Sequence, residues 1–176
     1  MTKSQDSIQR LVFLLSTVER EGRHLKWTAS RLFVEVIDSD WVKGLEQLPE
    51  IAERVDAFGA RFGRMQDTIG DRLIPELRRQ ILESPGAALD NLNRMEKLGL
   101  LRSVDDWVEA RQLRNALVHE YMRDPAAFAG ALSRAGELVP LLLDTYDRIR
   151  DYVEPRFVAP DGEWPPPLAC GDGEAH

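Results

Sequence analysis

The stretch LEQLPEIAERVDAFGARFGRMQDTIGDRLIPELRRQIL, residues 45–82, decides the fold class. Leu48, Ile51, Val55, Phe58, Phe62, Met65, Ile69 and Leu73 recur at three- and four-residue steps, which is the period of one helix face. The segment therefore predicts one long helix or two collinear pieces, and a stripe of that length needs other helices to cover it. Pro49 suits a first turn, where its missing N–H is no loss. Pro75 cannot close its backbone bond and predicts a bend near Thr68 to Leu73.

The same period extends in both directions from this stretch. Ile8, Leu11, Val12, Leu15 and Val18 predict a first helix from Ser7 to Gly22. His24 to Asp38 stays open, because Leu32-Phe33-Val34-Glu35-Val36-Ile37 is β-branched and aromatic and fits either a strand or an irregular insert. Ser39 and Asp40 offer a helix start before Trp41. Pro85-Gly86 is a stop, followed by a helix from Ala87 to Leu98 that Gly99 ends. Ser103 caps a further helix running to about Met122. Asp124-Pro125 opens the last, which carries Phe128, Leu132, Leu138, Leu142, Tyr146, Ile149 and Val153, with a kink expected at Pro140. The expected fold is all-α, an up-and-down helical bundle of about five helices with kinked long helices and a short irregular or strand-like insert after helix one. It occupies residues 1–153, and a Pro/Gly-rich flexible tail is expected over 154–176.

Composition narrows the function classes. The lone Cys170 rules out an intrachain disulfide and a cysteine-based metal cluster. No continuous apolar core opens the chain, so a cytoplasmic protein with no membrane partner is expected. The net charge of −7 argues against a general nucleic-acid coat protein and leaves room for an enzyme that grips RNA locally.

Arg114-Asn115-Ala116-Leu117-Val118-His119-Glu120-Tyr121 carries the chemistry. Arg114 can clamp a phosphate and stabilise its developing charge, because a guanidinium stays protonated and forks onto two oxygens. An unperturbed imidazole titrates near neutral pH, so a histidine at position 119 fits proton transfer. Asn115 can orient either, and Tyr121 can donate a hydrogen bond or stack on a base. Asn115 and His119 are four residues apart and share a face, whereas Arg114 and His119 lie about 140° apart around the helix. A single compact site then needs the arginine to wrap or a second copy of the helix, which predicts a homodimer. The alternative is structural: Arg114 paired with Asp106, Glu109 or Glu120, His119 on a backbone carbonyl, and Tyr121 in the core.

The string R-x4-H-x-Y, with Asn directly after the arginine, resembles the signature of the HEPN family. It is closest to the toxin branch that pairs with minimal nucleotidyltransferase antitoxins. Arg61 to Asp71, Leu98-Gly99-Leu100-Leu101, Trp107 and Leu113-Arg114-Asn115 extend the likeness over roughly residues 7 to 153. The resemblance implies a metal-independent endoribonuclease toxin without cofactor, cleaving mRNA or tRNA at a composite dimer-interface site. Arg114, Asn115, His119 and Tyr121 would be its catalytic residues, and the products would carry 2′,3′-cyclic phosphate ends. It also implies neutralisation by a nucleotidyltransferase antitoxin, in some cases by AMP transfer to the motif tyrosine, here Tyr121. The competing expectation is a non-catalytic helical module that binds nucleotides or a nucleotidyltransferase.

The long second helix adds an arginine ridge. Arg54, Arg61, Thr68, Arg72 and Arg79 fall within roughly 40° of one another, with Arg64 at the edge. Such a ridge can lead RNA towards the motif helix, with Arg61 and Arg64 as the backbone contacts. It can equally be a solvated face balanced by Glu50, Glu53, Asp71 and Glu76. His24 and Trp27 are expected to pack the bundle.

Overall fold

A computed structural model describes residues 3–119 and 123–168. Seven α-helices are present among these residues: α1 (Lys3–Leu32), α2 (Ser39–Gly44), α3 (Pro49–Asp67), α4 (Ile74–Gln80), α5 (Ala88–Lys97), α6 (Val104–His119) and α7 (Pro125–Val153). The boundaries follow local chemistry. Asp38 caps α2 by accepting from the Trp41 N–H at 2.8 Å, and Asp124 caps α7 by accepting from Ala126 and Ala127. Ser103 Oγ accepts from the Asp106 N–H at the start of α6, and Gly99 leaves α5 at φ +72°.

α3 and α4 are one continuous rod. Between them Thr68–Leu73 is a π-helical stretch, placed where Pro75 withholds its N–H. The bend expected there is thus realised as a widened turn. Pro140, by contrast, sits inside an unbroken α7.

Four rods, α1, α3–α4, α6 and α7, close a ring in which each packs on two neighbours. Cross-helix contacts fix their directions. Along α1 and the α3–α4 rod, Arg54 meets Arg31, Arg61 meets His24, Thr68 meets Glu21 and Glu76 meets Ser7. Along α6 and α7, Arg102 meets Asp144 and Glu109 meets Arg134. Both pairs are antiparallel, so the described residues form an all-α up-and-down bundle, with α5 packed on α4 and α6. The core runs through Leu11, Leu15, Phe58, Phe62, Trp107, Leu142 and Tyr146, all buried. α7 contacts α1, α2, α3 and α6, which explains why an 18-residue window of it reaches a mean hydropathy of 1.3.

One expectation fails and one open reading is decided. The first helix does not stop at Gly22 but continues to Leu32, burying Leu25, Thr28 and Leu32 on the same stripe. Gly22 is small because Leu168 packs against it, leaving no room for a Cβ. The residues from 32 to 37 form no strand, and no strand occurs among the described residues. β-Branched composition favours a strand only beside a partner that takes its N–H and C=O groups. Here Phe33 instead packs edge-on against Phe58, 5.1 Å between ring centroids, and Ile37 is buried.

The expected flexible tail is also corrected as far as residue 168. Tyr146 Oη donates to Pro166 O at 2.9 Å, Arg150 Nε to Pro165 O at 2.8 Å, and Lys26 Nζ to Leu168 O at 3.2 Å. The Leu168 N–H donates to Asp147 at 2.7 Å. Proline has no N–H to satisfy, so this irregular Pro-rich strap docks mainly through its carbonyl acceptors, with Ala159 and Leu168 buried in it.

Candidate active site

α6 reaches the α3–α4 rod across a file of glycines. A Cβ on Gly59 would lie 3.9 Å from Leu117, one on Gly70 3.6 Å from Trp107, and one on Gly63 only 2.6 Å from Arg114 Nε. Removing side chains from this file lets α6 come close, and the space above Gly63 is taken by the Arg114 stem. Nη1 of Arg114 donates to Asp67 Oδ1, one helical turn beyond Gly63. Arg111 faces Asp71 at 3.6 Å one turn further along the rod. Arg114 is therefore held from two directions, by the glycine beneath it and the carboxylate at its tip. Its side chain stays 34% exposed.

The rest of α6 divides by period. Trp107 and Ala110 are buried, while Leu113 and Leu117 pack half-buried against the core. Asn115 and Val118 lie on the outside, Val118 at 69% exposure. His119 is the last residue of α6; its side chain lies outside the described residues, as does Tyr121 entirely. The structure thus brings Arg114 and Asn115 to adjoining faces of one exposed helix. The ion pair weighed for Arg114 exists, but with Asp67 of α3 and not with Asp106 or Glu109; Glu120 lies outside the described residues.

The arginine ridge does not lead to α6. Gly59, Gly63 and Asp67, which face α6, lie about 180° around α3 from Arg54 and Arg61. Arg61 instead turns to α1, where its Nη1 donates to His24 O at 3.2 Å and to Thr28 Oγ1. Arg64 is exposed near Glu21. Burial raises the Glu21 carboxyl above its ordinary range, against a hydrogen bond from Thr68 and the charges of Arg64 and Arg72.

Sequence reasoning missed Asp67 and misread Trp27. Asp67 is legible in retrospect, one turn beyond Gly63 on the file that invites α6. Trp27 was expected in the bundle but is 62% exposed, with the Arg31 guanidinium 5.5 Å from its ring centre. Comparison with protein-family models, curated proteins and solved structures returns no match.

Proposed function

We propose that the chain is a metal-independent endoribonuclease with a HEPN-like bundle, acting as the toxin of a toxin–antitoxin pair. The observation that carries this reading is Arg114: fixed across Gly63, half-exposed, and one residue from the exposed Asn115 on the helix that His119 ends. An arginine held in place at a surface needs no reorganisation to meet a phosphate, and three of its N–H groups remain after Nη1 turns to Asp67. In the reaction His119 takes the proton of an RNA 2′-hydroxyl as its oxygen attacks the adjacent phosphorus. Arg114 stabilises the phosphorane, and the 5′-oxygen leaves with a proton from a second acid, yielding a 2′,3′-cyclic phosphate. His119 of a second copy supplies that acid. The angle between Arg114 and His119 calls for two α6 helices meeting about a two-fold axis, and Val118, 69% exposed beside the motif, is an apolar residue available to that contact.

The partner in this reading is a nucleotidyltransferase antitoxin. Transfer of AMP from ATP to the Tyr121 hydroxyl, with release of pyrophosphate, would place a charged, bulky group beside the motif and repel RNA. Purified chain should cleave RNA in the presence of a chelator and leave cyclic phosphate ends, and Arg114→Ala and His119→Ala should each abolish cleavage. Wild-type chain that neither arrests bacterial growth nor cleaves RNA sinks the proposal. The Arg114–Asp67 ion pair favours a second reading, a non-catalytic helical module for nucleotides or a nucleotidyltransferase. In that case Arg114→Ala weakens partner binding while no RNA is cut.

A further inference from the structure

The α1/α3 seam, on the opposite side of α3 from the motif helix, holds a depression of about 340 Å³. Trp27, Arg31, Arg54 and Arg61 line it, with Glu50 and Glu53 at one end. Three observations set it apart. Trp27 exposes most of its indole inside a concave site although the other tryptophans are buried or half-buried. Arg31, Arg54 and Arg61 make no ion pair with a carboxylate among the described residues. On other faces Arg111, Arg114, Arg134 and Arg150 pair with carboxylates, whereas here Glu50 and Glu53 line the same depression without an ion pair to these arginines. Finally, two of the three guanidiniums are positioned by groups that leave their charge intact. Arg54 donates to Arg31 O at 3.2 Å, and Arg61 to His24 O and Thr28 Oγ1.

An aromatic plate beside guanidiniums that form no ion pair, two of them held by hydrogen bonds, is the equipment for one base and its flanking phosphates. The depression also continues into a track. Arg20 and His24 lie on the Trp27 stripe of α1, and exposed Arg64 and Arg72 follow Arg61 along the α3–α4 rod. From Arg54 to Arg72 the track runs roughly 25 Å, enough for several nucleotides of extended strand. Acidic groups beside it are Glu50 and Glu53 in the depression and, further along, the half-buried Glu21 near Arg64 and Arg72, with Asp67 within reach of Glu21.

We propose that the α1/α3 seam is a binding track for single-stranded nucleic acid, with a base stacked on Trp27 and phosphates on Arg31, Arg54 and Arg61. The proposal does not depend on RNA cleavage by the motif helix. Its test therefore uses a labelled 2′-O-methyl oligoribonucleotide of about eight nucleotides. This ligand has no free 2′-hydroxyl to attack, so failure of cleavage and failure of binding read out separately.

Binding to the full chain is followed by fluorescence anisotropy and by tryptophan quenching. Trp27→Ala should weaken binding about 5- to 150-fold, the range for loss of one stacked base, while Trp27→Phe keeps most of the affinity and loses the quenching. Arg54→Ala should lower the slope of log affinity against log salt by about 0.7, as for one phosphate contact on a single strand. Arg156→Ala, on the Pro-rich strap side, should change neither. Equal losses for Arg156→Ala and Arg54→Ala, or unchanged affinity in Trp27→Ala, would overturn the track. So would an AMP titration that quenches Trp27 while the oligonucleotide does not bind, which would assign the depression to a free nucleotide.

Discussion

Gly63→Ala tests how Arg114 is held. A methyl group built on Gly63 lies 2.6 Å from Arg114 Nε, 3.0 Å from Cδ and 3.2 Å from Cγ, all inside normal contact distance. The backbone at Gly63 is ordinary α-helix, so the substitution carries no strain of its own and the arginine must leave. Two terms then oppose each other. Alanine replaces glycine in a helix interior, worth about 0.8–1.0 kcal/mol in favour of folding. The Arg114–Asp67 pair is lost; with side chains 34% and 38% exposed it contributes at most about 1 kcal/mol. The single variant should therefore stay within about 1 kcal/mol of the parent in urea denaturation.

The informative comparison is the double-mutant cycle. On an Arg114→Ala background the clash is absent, and Gly63→Ala should show its full helix-propensity gain of about 1 kcal/mol. The coupling between the two sites is then close to 1 kcal/mol, and it is read from stability alone. Additive behaviour within about 0.3 kcal/mol would refute the view that the glycine exists to seat the arginine. RNA cleavage supplies the functional arm: Gly63→Ala should lose activity towards the level of Arg114→Ala, on the order of 10²-fold or more for a charge-stabilising donor.

Other perturbations follow from the same contacts. Glu21 has its carboxyl raised by burial, and its Oε2 is buried without a hydrogen-bond partner. A raised carboxylate favours folding in its protonated form, so the ionised group weakens the fold above its folded pKa; Glu21→Gln should raise the denaturation midpoint at pH 7, and the gain should vanish below about pH 4. A constant difference across that range would remove the burial argument. Tyr146→Phe deletes the bond to Pro166 O and should cost about 1 kcal/mol while speeding proteolysis between residues 154 and 168; unchanged cutting there would mean the strap is held by Leu168 instead. Val118→Asp, at an exposed position where it cannot damage the core, should convert a dimer to monomer in light scattering, and a dimer that survives it does not use this face of α6.

Much of the architecture was written in one-dimensional signals. The period of Leu48 to Leu73, the caps at Ser103 and Asp124, the stop at Gly99 and the perturbation before Pro75 all depend on neighbours within a few residues, so they can be read without the fold. Three features could not be read locally because a distant partner decided them. Residues 32–37 have strand composition but no strand to pair with, Gly22 admits Leu168 where a helix stop was expected, and the carbonyls of residues 165–168 find side-chain donors on α1 and α7.

The candidate site divides along the same line. The sequence by itself determined that one helix carries Arg114, Asn115 and His119, and that the arginine and histidine diverge around it, because helical period is a local property. Only the tertiary structure decided that Arg114 rests on Gly63 and reaches Asp67, and that the ridge of Arg54 and Arg61 faces α1 and not α6. A helical wheel ranks residues by angle, but which neighbour occupies each angle is set by packing four rods into a ring. That choice turned one arginine stripe away from the motif and left Trp27 exposed beside it.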